Sequence, residues 1–146
     1  MNHLKLSFEP QAPREERLVV YEAIIEFNRS VTNDRDYSPI VIFLRDDSDT
    51  IKGGLLGETW GGWFHLQFLW IAESFRSKGY GSQLLQVAEA EARAKGCRNA
   101  FLQTFSFQAR PFYERFGYEV FGMLDYPKGH TFYFMKKALI GEDTKA

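Results

Sequence analysis

Residues 71–82 hold the densest chemistry in the chain: Ile71-Ala72-Glu73-Ser74-Phe75-Arg76-Ser77-Lys78-Gly79-Tyr80-Gly81-Ser82. Two glycines, two positions apart, let the backbone come close to a ligand and turn its N–H groups toward it. Arg76 and Lys78 add fixed positive charge. The segment stands between an apolar run and a helical pattern. Free N–H groups and the helix dipole both favour an anion there, and a phosphate or pyrophosphate is the natural occupant. Two familiar nucleotide loops do not fit. A Walker A loop ends in Gly-Lys-Ser/Thr, which is missing. A dinucleotide fingerprint needs a third glycine where Leu84 stands, and an acid about 20 residues on, in the region of Asn99.

The elements that must position this loop follow from periodicity and punctuation. Residues 4–8 alternate and predict a short strand. Pro13 with Arg14-Glu15-Glu16 opens a helix, on which Leu18, Tyr21, Ile24 and Ile25 keep helical spacing. Residues 30–39 are polar and predict a loop. A strand follows at 40–44, then a turn at Asp46-Asp47-Ser48-Asp49. A second strand, 50–60, meets a third, 63–72, over Gly61-Gly62, a two-residue hairpin signal. On the third strand Phe64, Leu66, Phe68 and Trp70 share the face expected to enter the core, and His65, Gln67, Leu69 and Ile71 share the other. Leu84, Leu85, Ala88 and Ala92 stripe a helix over 82–95 that Gly96 ends. Residues 99–104 predict a buried strand. A short helix starts near Gln108, with Pro111 in its first turn, and Gly117 ends it. Residues 118–124 and 131–139 form a last hairpin, and the tail 141–146 is expected to fray. The order predicts an α/β (α+β) fold in a single domain, 1–146, with its core at 4–139. Its single mixed, mostly antiparallel sheet has about six to seven strands, with helices on both faces and a parallel step between 63–72 and 99–104.

Composition narrows the function classes. At 146 residues, 45% hydrophobic and 25% charged, the chain has the balance of one globular core and is neither a disordered nor a coiled-coil sequence. A net charge of −1, with no basic patch interleaved by aromatics, speaks against a nucleic-acid binder. Cys97 is the single cysteine, so no internal disulfide forms and a reducing compartment fits. The opening residues lack the pattern of a signal peptide and no apolar run reaches membrane-spanning length, so a soluble, cytoplasmic protein is expected. Three scattered histidines, His3, His65 and His130, predict no metal. The two halves differ in sign. Residues 1–75 carry twelve acids against seven bases, a balance of −5; residues 76–146 carry seven against eleven, a balance of +4.

The pattern Arg76-x-x-Gly79-x-Gly81, after an aromatic strand and before an amphipathic helix, resembles the Arg/Gln-x-x-Gly-x-Gly/Ala loop of the GNAT-type N-acetyltransferases. Ser106-x-x-Ala109-x-x-x-Tyr113-x-x-x-Gly117-Tyr118 is similar to the family's second signature, Asn-x-x-Ala-x-x-x-Tyr-x-x-x-Gly-Phe. The resemblance covers about residues 50–139. Ser106 stands where the family usually has Asn, and Glu73 where a proline is common. The resemblance implies the GNAT fold, with acetyl-CoA as co-substrate. Its pyrophosphate would lie on the N–H groups of Ser77, Lys78, Gly79, Tyr80, Gly81 and Ser82, with Arg76 beside them. The pantetheine arm would run along the main chain of Leu69, Trp70 and Ile71, with Ser106 as a further contact. The two parallel strands would splay around the thioester. It also implies that Tyr113 protonates the departing thiolate. A phenol of pKa ~10 is protonated at neutral pH, and a thiol of pKa ~8.5 leaves readily. Without the flanking signature Tyr113 reads as a half-buried helix tyrosine. A homodimer is a further implication of the family.

A neutral amine must attack, so a base is required. Glu58 and His65 on the hairpin strands, and Glu22 and Glu26 on the first helix, are candidates, each with a structural reading beside it. Transfer is expected to be direct, in a ternary complex, because Cys97 lies after the helix and away from the loop. The acidic first half, with Asp34 and Asp36, points to a small cationic amine as acceptor. A protein or peptide acceptor and a non-catalytic acyl-CoA-binding module stand as alternatives.

Overall fold

The computed structural model describes residues 3–34 and 36–140; the fraying expected of 141–146 lies outside them. Contacts divide the chain into two compact units, 1–35 and 36–146.

The first unit is built around one helix, α1 (Arg14–Thr32). Pro13 precedes it in an extended conformation, Glu15 and Glu16 occupy its first turn, and Arg29 its last. Asn33 closes it in the left-handed region, its N–H donating to Arg29 O at 2.8 Å. The helix runs further than expected, through Ser30 and Thr32. Their hydroxyls donate back to Phe27 O and Asn28 O, so the polar residues stay on the helix instead of breaking it. The strand expected over 4–8 is absent. Alternation assigns faces to a strand but does not supply the partner that a ladder of hydrogen bonds needs.

The second unit is a single mixed sheet with helices. Its strands are β1 (Ser38–Arg45), β2 (Ile51–Trp60), β3 (Trp63–Ile71), β4 (Asn99–Phe105), β5 (Glu119–Tyr126) and β6 (His130–Ala138). They lie in the order β1-β2-β3-β4-β6-β5, with six strands and one parallel pair, β3 with β4. Gly61 and Gly62 both take positive φ and close the β2–β3 hairpin in two residues. Asp46 Oδ1 accepts the N–H groups of Ser48 and Thr50 and sets the β1–β2 turn. Two helices, α2 (Tyr80–Ala94) and α3 (Arg110–Arg115), pack into the same core as the sheet. Leu84, Leu85, Ala88 and Ala92 bury the stripe of α2 against Leu55, Phe64, Leu66, Leu102 and Met135.

One expectation is overturned on β3. Phe68 and Trp70 are exposed, at 67% and 53%, whereas Leu69 and Ile71 pack on the core. The cause is a β-bulge. Leu56 pairs with Phe68 but Gly57 pairs with Leu66, so Gln67 is left over. One extra residue reverses the face of everything after it. Gly57 allows the bend. A Cβ there would stand 2.6 Å from both His65 O and a ring carbon of Phe64, so no other residue fits without moving backbone. The pairing of β3 with β4 covers only Trp63–Leu66 against Asn99–Leu102. Past the bulge these two strands no longer pair.

Candidate active site

At the C-terminal end of β3 a 3₁₀ turn, Glu73–Phe75, leads into the loop and then into α2. Gly79 caps α2 at φ +86°, a conformation that costs an L side chain strain. The first helical hydrogen bond runs from Gln83 N–H to Gly79 O, so the amides of Tyr80, Gly81 and Ser82 precede it and open the helix as donors. Ser77 also takes a left-handed φ, +62°. Arg76 is anchored where the strand ends, its Nε donating to Ile71 O at 2.8 Å. Around this helix start lies a cleft of about 380 Å³, bordered by Ser77, Gly79, Tyr80, Gly81 and Ser82. Phe112 and Arg115 of α3 form its other wall. The donors, two arginines and a glycine that exposes backbone fit a diphosphate.

A second cleft, of about 480 Å³, continues from the first and shares Ile71, Arg76, Gly81 and Phe112 with it. Leu69 and Trp70 line it on the β3 side, Gln108 and Tyr113 on the other. Tyr113 is 6% exposed, and burial pushes its phenol up to about 12. Its hydroxyl therefore keeps its proton at any physiological pH.

A third cleft, of about 380 Å³, sits in the wedge that opens between β3 and β4, where His65 and Gln103 face each other. Gln108 belongs to it as well as to the second. His65 Nε2 meets Gln103 Oε1 at 2.9 Å, and its ring stacks on Phe101 at 4.2 Å between centroids. His65 also borders a fourth hollow, of about 230 Å³, with Glu58, Trp60 and Trp63. Glu58 stands opposite His65 across the β2–β3 ladder and accepts a hydrogen bond from the Tyr37 hydroxyl at 3.0 Å.

These features, a loop of free amides at a helix start, a bulged strand and a wedge of diverging parallel strands, coincide with a match to the model of the acetyltransferase (GNAT) family over residues 2–118. The chain belongs to that family. It is 33% identical over 113 residues to "Acetyltransferase Atu2258" of Agrobacterium fabrum, a match covering 77% of this chain and 82% of that protein. It is 40% identical over 91 residues to a blasticidin-S acetyltransferase of Streptomyces morookaense, covering 61% and 67%. An acetyltransferase structure from Bacillus cereus superposes with a TM-score of 0.76 at 34% identity, over 94% of this chain and 97% of that one. The protein is thus an acetyl-CoA-dependent N-acetyltransferase with the GNAT fold.

On this acetyltransferase most of the residues expected at the site are brought together. Leu69, Trp70, Ile71, Arg76, Ser77, Gly79, Tyr80, Gly81, Ser82 and Tyr113 line the first two clefts. Lys78 does not line them; its Nζ lies 5.9 Å from the Phe75 ring centroid. Ser106 lines none of the four. Its Oγ accepts Thr131 N–H at 3.0 Å and its own N–H donates to Thr131 O at 2.8 Å, so it ties the loop to β6. Cys97 is buried, burial pushes its thiol up, and it borders none of the clefts. Glu22, Glu26 and Asp34 belong to the first unit. Residue spacing did not mark Gln108, expected only as the start of the short helix that in fact begins at Arg110, nor Phe112 or Arg115, as site residues. Phe112 and Arg115 are three apart and so share a face of α3, a signal present in the sequence, but nothing there said which face meets the loop.

Proposed function

We propose that this chain transfers the acetyl group of acetyl-CoA to a primary amine of a small cationic molecule, by direct attack in a ternary complex. The observation that carries the reading is the continuity of the clefts. A run of shared residues leads from the amides of α2, past Tyr113, through Gln108 to His65. The diphosphate takes the first cleft and the pantetheine arm the second, and the thioester reaches the wedge. Tyr113 supplies the proton to the departing thiolate. His65 accepts the proton of the attacking amine. Donating Nε2–H to Gln103 keeps a lone pair on Nδ1. The hollow beside it is lined by Glu58 together with Trp60 and Trp63, a carboxylate among aromatic rings, which favours a cation. A relative named for blasticidin-S supports a small-molecule acceptor over a protein.

The family match runs across both units, which supports one catalytic domain. A homodimer and a cytoplasmic location are carried with this reading from the family resemblance and the single cysteine. No helix among the described residues is long and apolar enough to cross a membrane.

Calorimetry with acetyl-CoA, followed by thiol release with 1,4-diaminobutane and with n-butylamine, tests the reading. Micromolar acetyl-CoA binding, lost at least 100-fold in Gly81→Glu, is expected, because a carboxylate at the helix start opposes the diphosphate. The diamine should react at lower KM than the monoamine. A folded wild type that binds no acetyl-CoA overturns the reading. Binding without thiol release to either amine favours the non-catalytic alternative.

A further inference from the structure

Gln108 is the residue that the second and third clefts have in common. One end of its side chain is committed. Phe105 N–H donates to Oε1 at 2.8 Å, and Thr104 Oγ1 stands 3.5 Å from the same oxygen. A backbone N–H can be met only by an oxygen, so the orientation of the amide is set by chemistry. Its other end, Nε2, carries two donors; the residue is exposed, so they are open to solvent and to a ligand in the clefts, and among the described residues no acceptor takes either. The neighbouring polar side chains are engaged. Ser106 Oγ accepts from Thr131, and Gln103 Oε1 meets His65. A donor held at the boundary of two clefts, without a protein partner, suits an oxygen that arrives with the ligand.

On the proposed reading, Tyr113 in the second cleft serves the leaving sulfur and His65 in the third serves the amine, which puts the acyl group at the boundary of the two clefts. The acyl carbon lies between sulfur and nitrogen, and its oxygen goes with it. We infer that the Gln108 side-chain amide donates a hydrogen bond to the acyl oxygen of the bound thioester and holds the negative charge that forms there. The inference rests on the reading above. The amine lone pair forms the C–N bond and the C=O pair moves onto oxygen, where Nε2–H meets it. That pair then returns and the C–S bond breaks. The sulfur takes the Tyr113 proton, and the proton lost by the amine goes to His65.

Gln108→Glu separates this role from a structural one. A glutamate keeps an oxygen for Phe105 N–H but has no donor. The expected result is a fall in kcat of about 100-fold, with the melting temperature unchanged and the affinity for CoA, which has no thioester oxygen, within twofold of the wild type. Isotope-edited infrared spectra of bound [1-13C]acetyl-CoA give a second readout, independent of any acceptor. The thioester carbonyl stretch should move to lower frequency on binding to the wild type and return toward its free value in Gln108→Ala. An unchanged kcat in Gln108→Glu, or a carbonyl stretch that is the same in wild type and Gln108→Ala, overturns the inference while leaving the reading intact. So does an equal loss of affinity for CoA and acetyl-CoA, which would place the donor on the pantetheine arm. A wild type that binds neither ligand overturns both.

Discussion

His65 Nε2 lies 2.9 Å from Gln103 Oε1, and Gln103 is the first residue of β4 beyond the last one paired with β3. The bond therefore spans the strands where their ladder ends. It orients the imidazole from one side while Phe101 stacks on its face. His65→Ala should lower kcat about 100-fold, the usual worth of a positioned general base, with acetyl-CoA affinity unchanged. Gln103→Leu removes only the orientation and should lower kcat less, with the same unchanged affinity. Thiol release and calorimetry measure the two quantities separately. A His65→Ala enzyme at full kcat would shift the base to Glu58, across the ladder.

The loop, the hairpin and the helix stripe were legible in the sequence because each is a local signal. Glycines at 61, 62, 79 and 81 announce backbone shape, and the Leu84–Leu85–Ala88–Ala92 stripe announces a face. The bulge was not legible. Reading β3 as unbroken alternation put Phe68 and Trp70 inside, and only the pairing with β2 shows that Gln67 is extra. The same limit applies at Ser106 and Gln108. The second signature marks where the chain turns into α3, but which polar side chain faces the cleft depends on Thr131, 25 residues away. Arg115 joins the loop through tertiary packing, which no spacing in one segment encodes.

Tyr113→Phe removes one hydroxyl and, among the described residues, no hydrogen bond. Stability should stay within about 0.5 kcal/mol of the wild type, while kcat falls 10-fold or more as the thiolate leaves unprotonated. The pH dependence has a defined sign. Burial raises the phenol of Tyr113 from 10 to about 12. Burial, and then the Glu89 carboxylate, raises that of Tyr118 as well. An unfolded tyrosine releases its proton first, so the stability each contributes is fully present below about pH 10 and declines as pH rises toward the folded value, by about 1.4 kcal/mol per pH unit for each. Urea titrations at pH 9, 10.5 and 11.5 should show this decline. Tyr113→Phe should show a shallower one, and a slope identical to the wild type would mean that its phenol ionises in the folded protein as readily as in the unfolded chain.

Glu89 stands on α2, 4% exposed, and gathers three partners, two of them from other parts of the chain. Lys137 Nζ of β6 approaches at 2.6 Å, the Tyr118 hydroxyl donates at 2.8 Å, and Arg93 lies one helical turn away at 3.6 Å. Arg93 in turn donates to Leu139 O at 2.8 Å. The carboxylate thus joins α2, the segment after α3 and the end of β6. A buried charge is costly unless it is paired, and removing one partner leaves the other with the cost. Glu89→Ala strands the Lys137 ammonium, which is only 17% exposed, and leaves the Tyr118 hydroxyl without its acceptor. The expected loss is about 3 kcal/mol, read as a lower urea midpoint with an unchanged m-value. Lys137→Met in the same background removes the stranded charge and should recover part of the loss. If the double variant is no more stable than Glu89→Ala alone, the ion pair is not what Glu89 contributes, and its bond to Tyr118 must hold the three elements instead.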